Sequence, residues 1–199
     1  MCDLAAVMAR WLPLLAVGLA SCQQTAPVEE VRRAKVPTTQ RLVVSVKDQM
    51  MVTFDREMPK KIYPVSTSKF GTGDKPRSFK TPLGWLEVVE VIGQGLPAGA
   101  KLKARQPTGE VVPLEAPGRD PIVTRVVRLR GMERRNARTL ERLIYIHGTP
   151  EESKLKTPVS FGCVRMGSAD IIALCHWLKP GARVDIVAGK LPAPEALPD

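Results

Sequence analysis

The sequence predicts a mainly β domain with one short helix, on three observations. Between residues 41 and 188 the apolar residues fall in short β-branched runs broken by glycine and proline, of which the whole chain holds 15 and 18. Runs of this length bounded by turn formers mark strands. One segment, ADIIALCHWL at 169–178, has helical length and flanks, with a serine before it and Pro180-Gly181 as a stop. Several runs alternate, as at 122–129, where basic residues punctuate one face and leave the other apolar, the pattern of a sheet half in water.

In chain order, strands are expected at 42–46, 51–54, 62–66, 85–92, 122–129 and 143–146. The helix follows at 169–178, with Ser168 as N-cap and Asp170 in the first turn, where the helix dipole favours an anion. A last strand at 182–187 closes a domain of 41–188, and 189–199 is a Pro-rich tail. Ahead of the domain, 22–40 has no apolar periodicity and is expected to be a flexible tether. Residues 1–21 form an export signal: the apolar run at 11–20 follows Arg10, ends in small residues, and is far shorter than the ~20 residues a spanning helix needs. Asp3 offsets Arg10, and Met8 is an alternative initiator. The tetrad Leu19-Ala20-Ser21-Cys22 resembles a bacterial lipobox, so lipidation of Cys22 is expected, holding the chain on a membrane and facing the periplasm or wall. Gln23 after it favours the outer over the cytoplasmic membrane; a plain secretory signal is the alternative.

With 44% hydrophobic and 25% charged residues the chain has a globular composition, which excludes disorder throughout. A formal charge of +10 points to an acidic polymer or a membrane surface as neighbour. Four cysteines without a C-x-x-C pair make neither a disulfide scaffold nor a zinc finger. Eight arginines between Arg119 and Arg142 raise nucleic acid as a ligand, but an exported chain meets none, and a solvated basic strand face is the simpler account.

One of the two histidines, His147, directly follows the apolar run 143–146 and precedes Gly148, at a strand end where sites are built. Sixteen residues later stands Cys163, after Gly162 and two residues before Arg165, on the same side by strand alternation. A free thiol is largely protonated at neutral pH; an imidazole base and a guanidinium beside it make a competent nucleophile. Cys175 falls among the apolar residues of the helix and His176 projects away from it, which argues against a zinc site joining the two to His147 and Cys163.

Ile146-His147-Gly148-Thr149 and Ser160-Phe161-Gly162-Cys163-Val164-Arg165-Met166 resemble the L,D-transpeptidase catalytic domain (YkuD-like), whose pattern is a His-Gly followed after a gap by Ser-His-Gly-Cys-Ile/Val-Arg. Val65-Ser66-Thr67-Ser68 with Lys80-Thr81-Pro82-Leu83-Gly84-Trp85, and Thr124-Arg125-Val126-Val127 leading to Leu129-Arg130-Gly131, extend the resemblance, which covers about 41–188. It implies a β-sandwich with one short helix after the nucleophile strand, no cofactor and no metal. The implied substrate is a peptidoglycan tetrapeptide stem. Cys163 would attack the carbonyl after meso-diaminopimelate, expel D-Ala and leave a thioester that an amine or water resolves. His147 would act as base and then acid, its other ring nitrogen oriented by a carbonyl in the Gly148 region. The amides of Gly162 and Cys163 would receive the oxyanion, with Ser160 and Gly148 completing the substrate site. Arg165 would hold a substrate carboxylate or brace the loop, with an ion pair to Asp170 as the alternative. Carbapenems would acylate Cys163, and the chain would act as a monomer. One position departs from the pattern: Phe161 replaces a histidine, a change expected to make the pocket more apolar and slow catalysis without abolishing it. A hydrolase using the same thioester and a silent wall-binding module are the alternative functions.

Overall fold

The computed structural model describes residues 38–116 and 120–191. The signal, the Cys22 tether and the tail beyond 191 lie outside them. In chain order the strands are β1 (Gln40–Ser45), β2 (Met50–Asp55), β3 (Met58–Ser66), β4 (Gly84–Ile92), β5 (Ala100–Lys103), β6 (Gln106–Val111), β7 (Val123–Gly131), β8 (Tyr145–Gly148), β9 (Val164–Met166) and β10 (Arg183–Val187), with helix α1 (Ser168–Trp177) between the last two. They form one sheet in the order β4-β10-β1-β2-β3-β9-β8-β7-β5-β6. Because β4 also pairs with β7, the sheet closes on itself and the β5–β6 hairpin hangs from β7. The pairs β1–β10 and β8–β9 are parallel; the others are antiparallel.

Two apolar cores meet β7 from opposite faces. Val127 and Leu129 join Ile146, Val164 and the helix residues Ile171 and Leu174 in the main core, while Val126 joins Leu102 and Tyr145 in a smaller one beside the hairpin. Fully buried side chains of this kind contribute about 1.5–3 kcal/mol each. The sheet is therefore not half solvated at β7, as its alternation suggested. A bulge between Val123 and Val126 resets the register there, with Thr124 in the left-handed region at φ 69°. Arg125 is 3% exposed and donates to the carbonyls of Leu96 and Thr124. Arg142 is also buried, so these two arginines are not part of a solvated face.

The expected strands and helix are present, with shifted ends. The 143–146 strand becomes Tyr145–Gly148 because its parallel partner β9 extends pairing as far as Gly148↔Met166, and His147 lies inside it. Ser168 is the first helical residue and caps nothing; Gly167 is the N-cap, and the Ser168 amide donates 2.7 Å to Glu152 Oε1. That carboxylate comes from a 3-10 turn at Glu152–Lys154 and meets both an unpaired helix amide and the positive end of the helix dipole. The β5–β6 hairpin went unseen because β6 (QPTGEV) is exposed along its length.

Candidate active site

The parallel pair β8–β9 sets His147 directly beside Arg165. The imidazole is 4% exposed, and its Nδ1 lies 2.9 Å from the carbonyl oxygen of Gly148. A carbonyl only accepts, so Nδ1 carries the proton and Nε2 keeps its lone pair. Burial pushes the His147 pKa below its ordinary value; the Gly148 bond and Asp120 oppose this, and Arg165 adds to it. The ring is thus neutral at neutral pH and basic at Nε2. Gly148 is held by packing: a side chain there would meet the Val123 carbonyl of β7 at 2.6 Å.

The nucleophile loop is tied from three sides. The Ser160 amide donates to the Thr67 carbonyl at 2.9 Å, and Ser160 Oγ donates to the Cys163 carbonyl at 2.6 Å. Thr81 Oγ1 donates to the Gly162 carbonyl and accepts from the Ser68 amide, each at 3.0 Å. Gly162 sits at φ +120°, and a Cβ there would come 2.9 Å from Ile144, so glycine is required. Its amide donates to Ser160 Oγ at 3.2 Å. That bond engages one of the two amides assigned to the oxyanion, so Ser160 shapes the loop from within.

The half-buried Cys163 packs with Leu102, Val126 and Tyr145. Its Sγ accepts the Tyr145 amide at 3.4 Å and donates to the Leu143 carbonyl at 3.6 Å. Burial pushes the thiol up to about 11; the Tyr145 amide and Arg142 pull it down, and Asp120 pushes it further up. No hydrogen bond joins the sulfur to the imidazole among the described residues. At rest both groups are neutral, the thiol protonated and the imidazole uncharged.

Arg165, 2% exposed, does not meet Asp170, whose carboxylate lies 3.8 Å from Lys61. Its guanidinium instead reaches Glu151 at 2.5 Å, Asp120 at 2.7 Å and Thr149 Oγ1 at 2.9 Å, and Thr149 donates to Asp120 at 2.6 Å. With its charge matched by two carboxylates, Arg165 braces the site. Sequence reasoning missed Asp120, Glu151 and the anchoring role of Thr81. Thr81 and Thr149 lay inside the quoted motifs, but Asp120 stands in an unpatterned stretch and carries no signal.

Phe161 is 59% exposed and stacks outward on Phe70 and Phe79, at 5.6 and 5.8 Å between ring centroids. It does not make the thiol's surroundings more apolar, as expected; the side chains packed with Cys163 do that.

Comparison with known proteins bears on this geometry. The family model of the L,D-transpeptidase catalytic domain (YkuD) matches residues 39–186. Among solved structures, L,D-transpeptidase 3 from Mycobacterium tuberculosis in complex with a faropenem-derived adduct superposes with a TM-score of 0.50 at 15% identity, over 75% of this chain and 60% of that one. An L,D-transpeptidase from Mycobacterium smegmatis gives 0.49 at 16%, over 76% and 59%. An L,D-transpeptidase in complex with imipenem gives 0.49 at 16%, over 75% and 59%. The chain thus spans about six-tenths of the length of these relatives; the superposition at a TM-score of 0.50 shows the fold. No curated protein matches it. With the family's model running from β1 into β10, and its His-Gly lying in β8 beside the strand β9 that directly follows Gly162-Cys163, the chain belongs to the L,D-transpeptidase catalytic domain family.

Proposed function

We propose that this chain is an L,D-transpeptidase of peptidoglycan, with Cys163 as nucleophile and His147 as general base and acid. The observation that carries the reading is the fixed tautomer of His147: Nδ1–H is held by the Gly148 carbonyl and the neutral ring keeps Nε2 free. Rotation about the Cys163 side-chain bond redirects the S–H from the Leu143 carbonyl towards Nε2. The sulfur then attacks the carbonyl after meso-diaminopimelate in a tetrapeptide stem as Nε2 takes the proton, forming the S–C bond. The C–N bond breaks, and the imidazolium returns the proton to the departing D-Ala amine. An amine attacks the thioester next, loses a proton to His147, and Cys163 leaves as the thiol. The Cys163 amide receives the oxyanion.

The test is acylation by imipenem, followed by intact-protein mass spectrometry. One adduct is expected, lost in Cys163→Ser. Cys175, 1% exposed with its thiol pushed by burial up to about 12, stays unmodified. An adduct persisting in Cys163→Ser refutes the assignment, and absence of any adduct leaves a silent wall-binding module. Muropeptide analysis of cells with and without the gene identifies the second substrate: new cross-links for an amine, shortened stems for water. The same proposal covers the chain's address, an exported lipoprotein held through Cys22. Cys22→Ala should move it from the membrane to the soluble fraction, and a wild type already soluble contradicts the anchor.

A further inference from the structure

Three of the chain's four phenylalanines gather on one face beside the nucleophile loop. Phe70, Phe79 and Phe161 are 43, 50 and 59% exposed. Their ring centroids lie 5.6–5.8 Å apart, with interplanar angles of 42°, 55° and 89°. An apolar cluster left this open in water marks an interaction site. The tilted rings share no plane, so they offer no flat platform to a sugar or a base. The trio is an apolar wedge, and what receives it must conform to it.

The rim identifies the receiver. Lys69 lays its ammonium 4.4 Å over the Phe161 ring and 5.3 Å over Phe70, and Lys75, Arg77 and Lys80 are exposed around the same loop. Of the acids there, Asp74 is matched by Arg142 at 3.1 Å, and Glu141, exposed beside Phe79 and Phe161, leaves the rim net positive against Lys69, Lys75, Arg77 and Lys80. An apolar wedge in a ring of cations is complementary to one environment above others: acyl chains beneath anionic headgroups. We infer that the Phe70–Phe79–Phe161 face docks on the surface of an anionic phospholipid bilayer, the rings entering the interface and the cations meeting phosphates.

The docked face leaves the thiol accessible. Phe79 and Phe161 line a cavity of about 360 Å³ with Ile144 and Arg142. Cys163 packs instead with Leu102, Val126 and Tyr145, which line a separate cavity of about 230 Å³ sharing no residue with the first. The rings proposed to enter a bilayer and the side chains that pack on the thiol are thus different residues, and docking does not depend on the proposed reaction.

The experiment is vesicle flotation of the full chain carrying Cys22→Ser, which removes any lipid anchor, with phosphatidylcholine alone and mixed with phosphatidylglycerol. The anionic mixture should bind at least about tenfold more protein, as expected where several basic residues reach a charged surface. Phe70→Ser with Phe79→Ser should reduce that binding to the level of phosphatidylcholine alone while imipenem acylation of Cys163 continues at the parent rate. Lys69→Glu with Lys75→Glu, on unaltered rings, should lose the preference for anionic vesicles and serves where the serine variant does not fold. Equal flotation of parent and folded variants, or equal binding to both vesicle types, overturns the proposal. So does capture by isolated cell wall in place of vesicles.

Discussion

At the scale of single residues, the proposed reaction starts from two neutral groups, the Cys163 thiol and the His147 imidazole. Acylation should rise with pH through the depressed pKa of His147, below the ordinary 6.5, because the imidazolium cannot accept a proton. It should then hold level across neutral pH and climb again only towards about 11, where the thiol ionises unaided. Stopped-flow acylation at graded pH checks both limbs, and His147→Ala should remove the lower one and slow the neutral rate by ~10²–10⁴. Arg165 gives the second test. Its positive charge helps to hold the imidazole neutral, so Arg165→Met should move the acid limb to higher pH. The same change leaves Asp120 without its cation and Glu151 with Lys154 alone, at 2.6 Å, and should destabilise the fold by about 3 kcal/mol, read from urea unfolding. Cys163 and His147 stood out in the sequence because glycines and flanking apolar residues frame them. Asp120 was not, because its role comes from a side chain folding back onto β9. The outward stacking of Phe161 was equally hidden, because its partners are some 80 to 90 residues away in sequence.

At the scale of elements, strand existence followed from composition and strand pairing did not. The runs rich in valine and isoleucine became strands because they line one of three buried apolar clusters. The β5–β6 hairpin has no such run on β6, and its turn residues, Ala104 and Arg105, adopt left-handed φ of 49° and 68° without the asparagine or glycine that would announce it. The β2–β3 turn is built the same way, from Arg56 and Glu57 at φ 50° and 63°. Replacing that pair by Asn-Gly should stabilise the domain by about 0.5–1 kcal/mol, after the loss of the exposed Arg41–Glu57 ion pair, and a rise in melting temperature would show it. The helix cap supplies the converse case. Glu152→Ala should cost about 1 kcal/mol, because the Ser168 amide loses its acceptor, whereas Ser168→Ala leaves the cap intact.

At the scale of the whole molecule, β10 is the strand that links β1 to β4, while the β4–β7 pairing closes the sheet. It lies between β1 and β4, with Ile186 1% exposed in the main core. Ile186→Ala should destabilise the domain by about 2–5 kcal/mol. A shifted urea midpoint with an unchanged slope would show that the sheet still unfolds as one unit.

That arrangement also governs the order of events in folding. Arg41 in β1 finds its neighbour Arg183 only after nearly the whole domain has been made. A chain emerging from synthesis therefore has β1 and β4 waiting, each with an edge still open, until the segment 183–187 arrives to fill the gap between them. Contacts so distant in sequence make folding slow, and they place it after synthesis. A truncated chain lacking β10 would keep two unpaired edges facing one another, a substrate for chaperones and proteases in place of a folded domain.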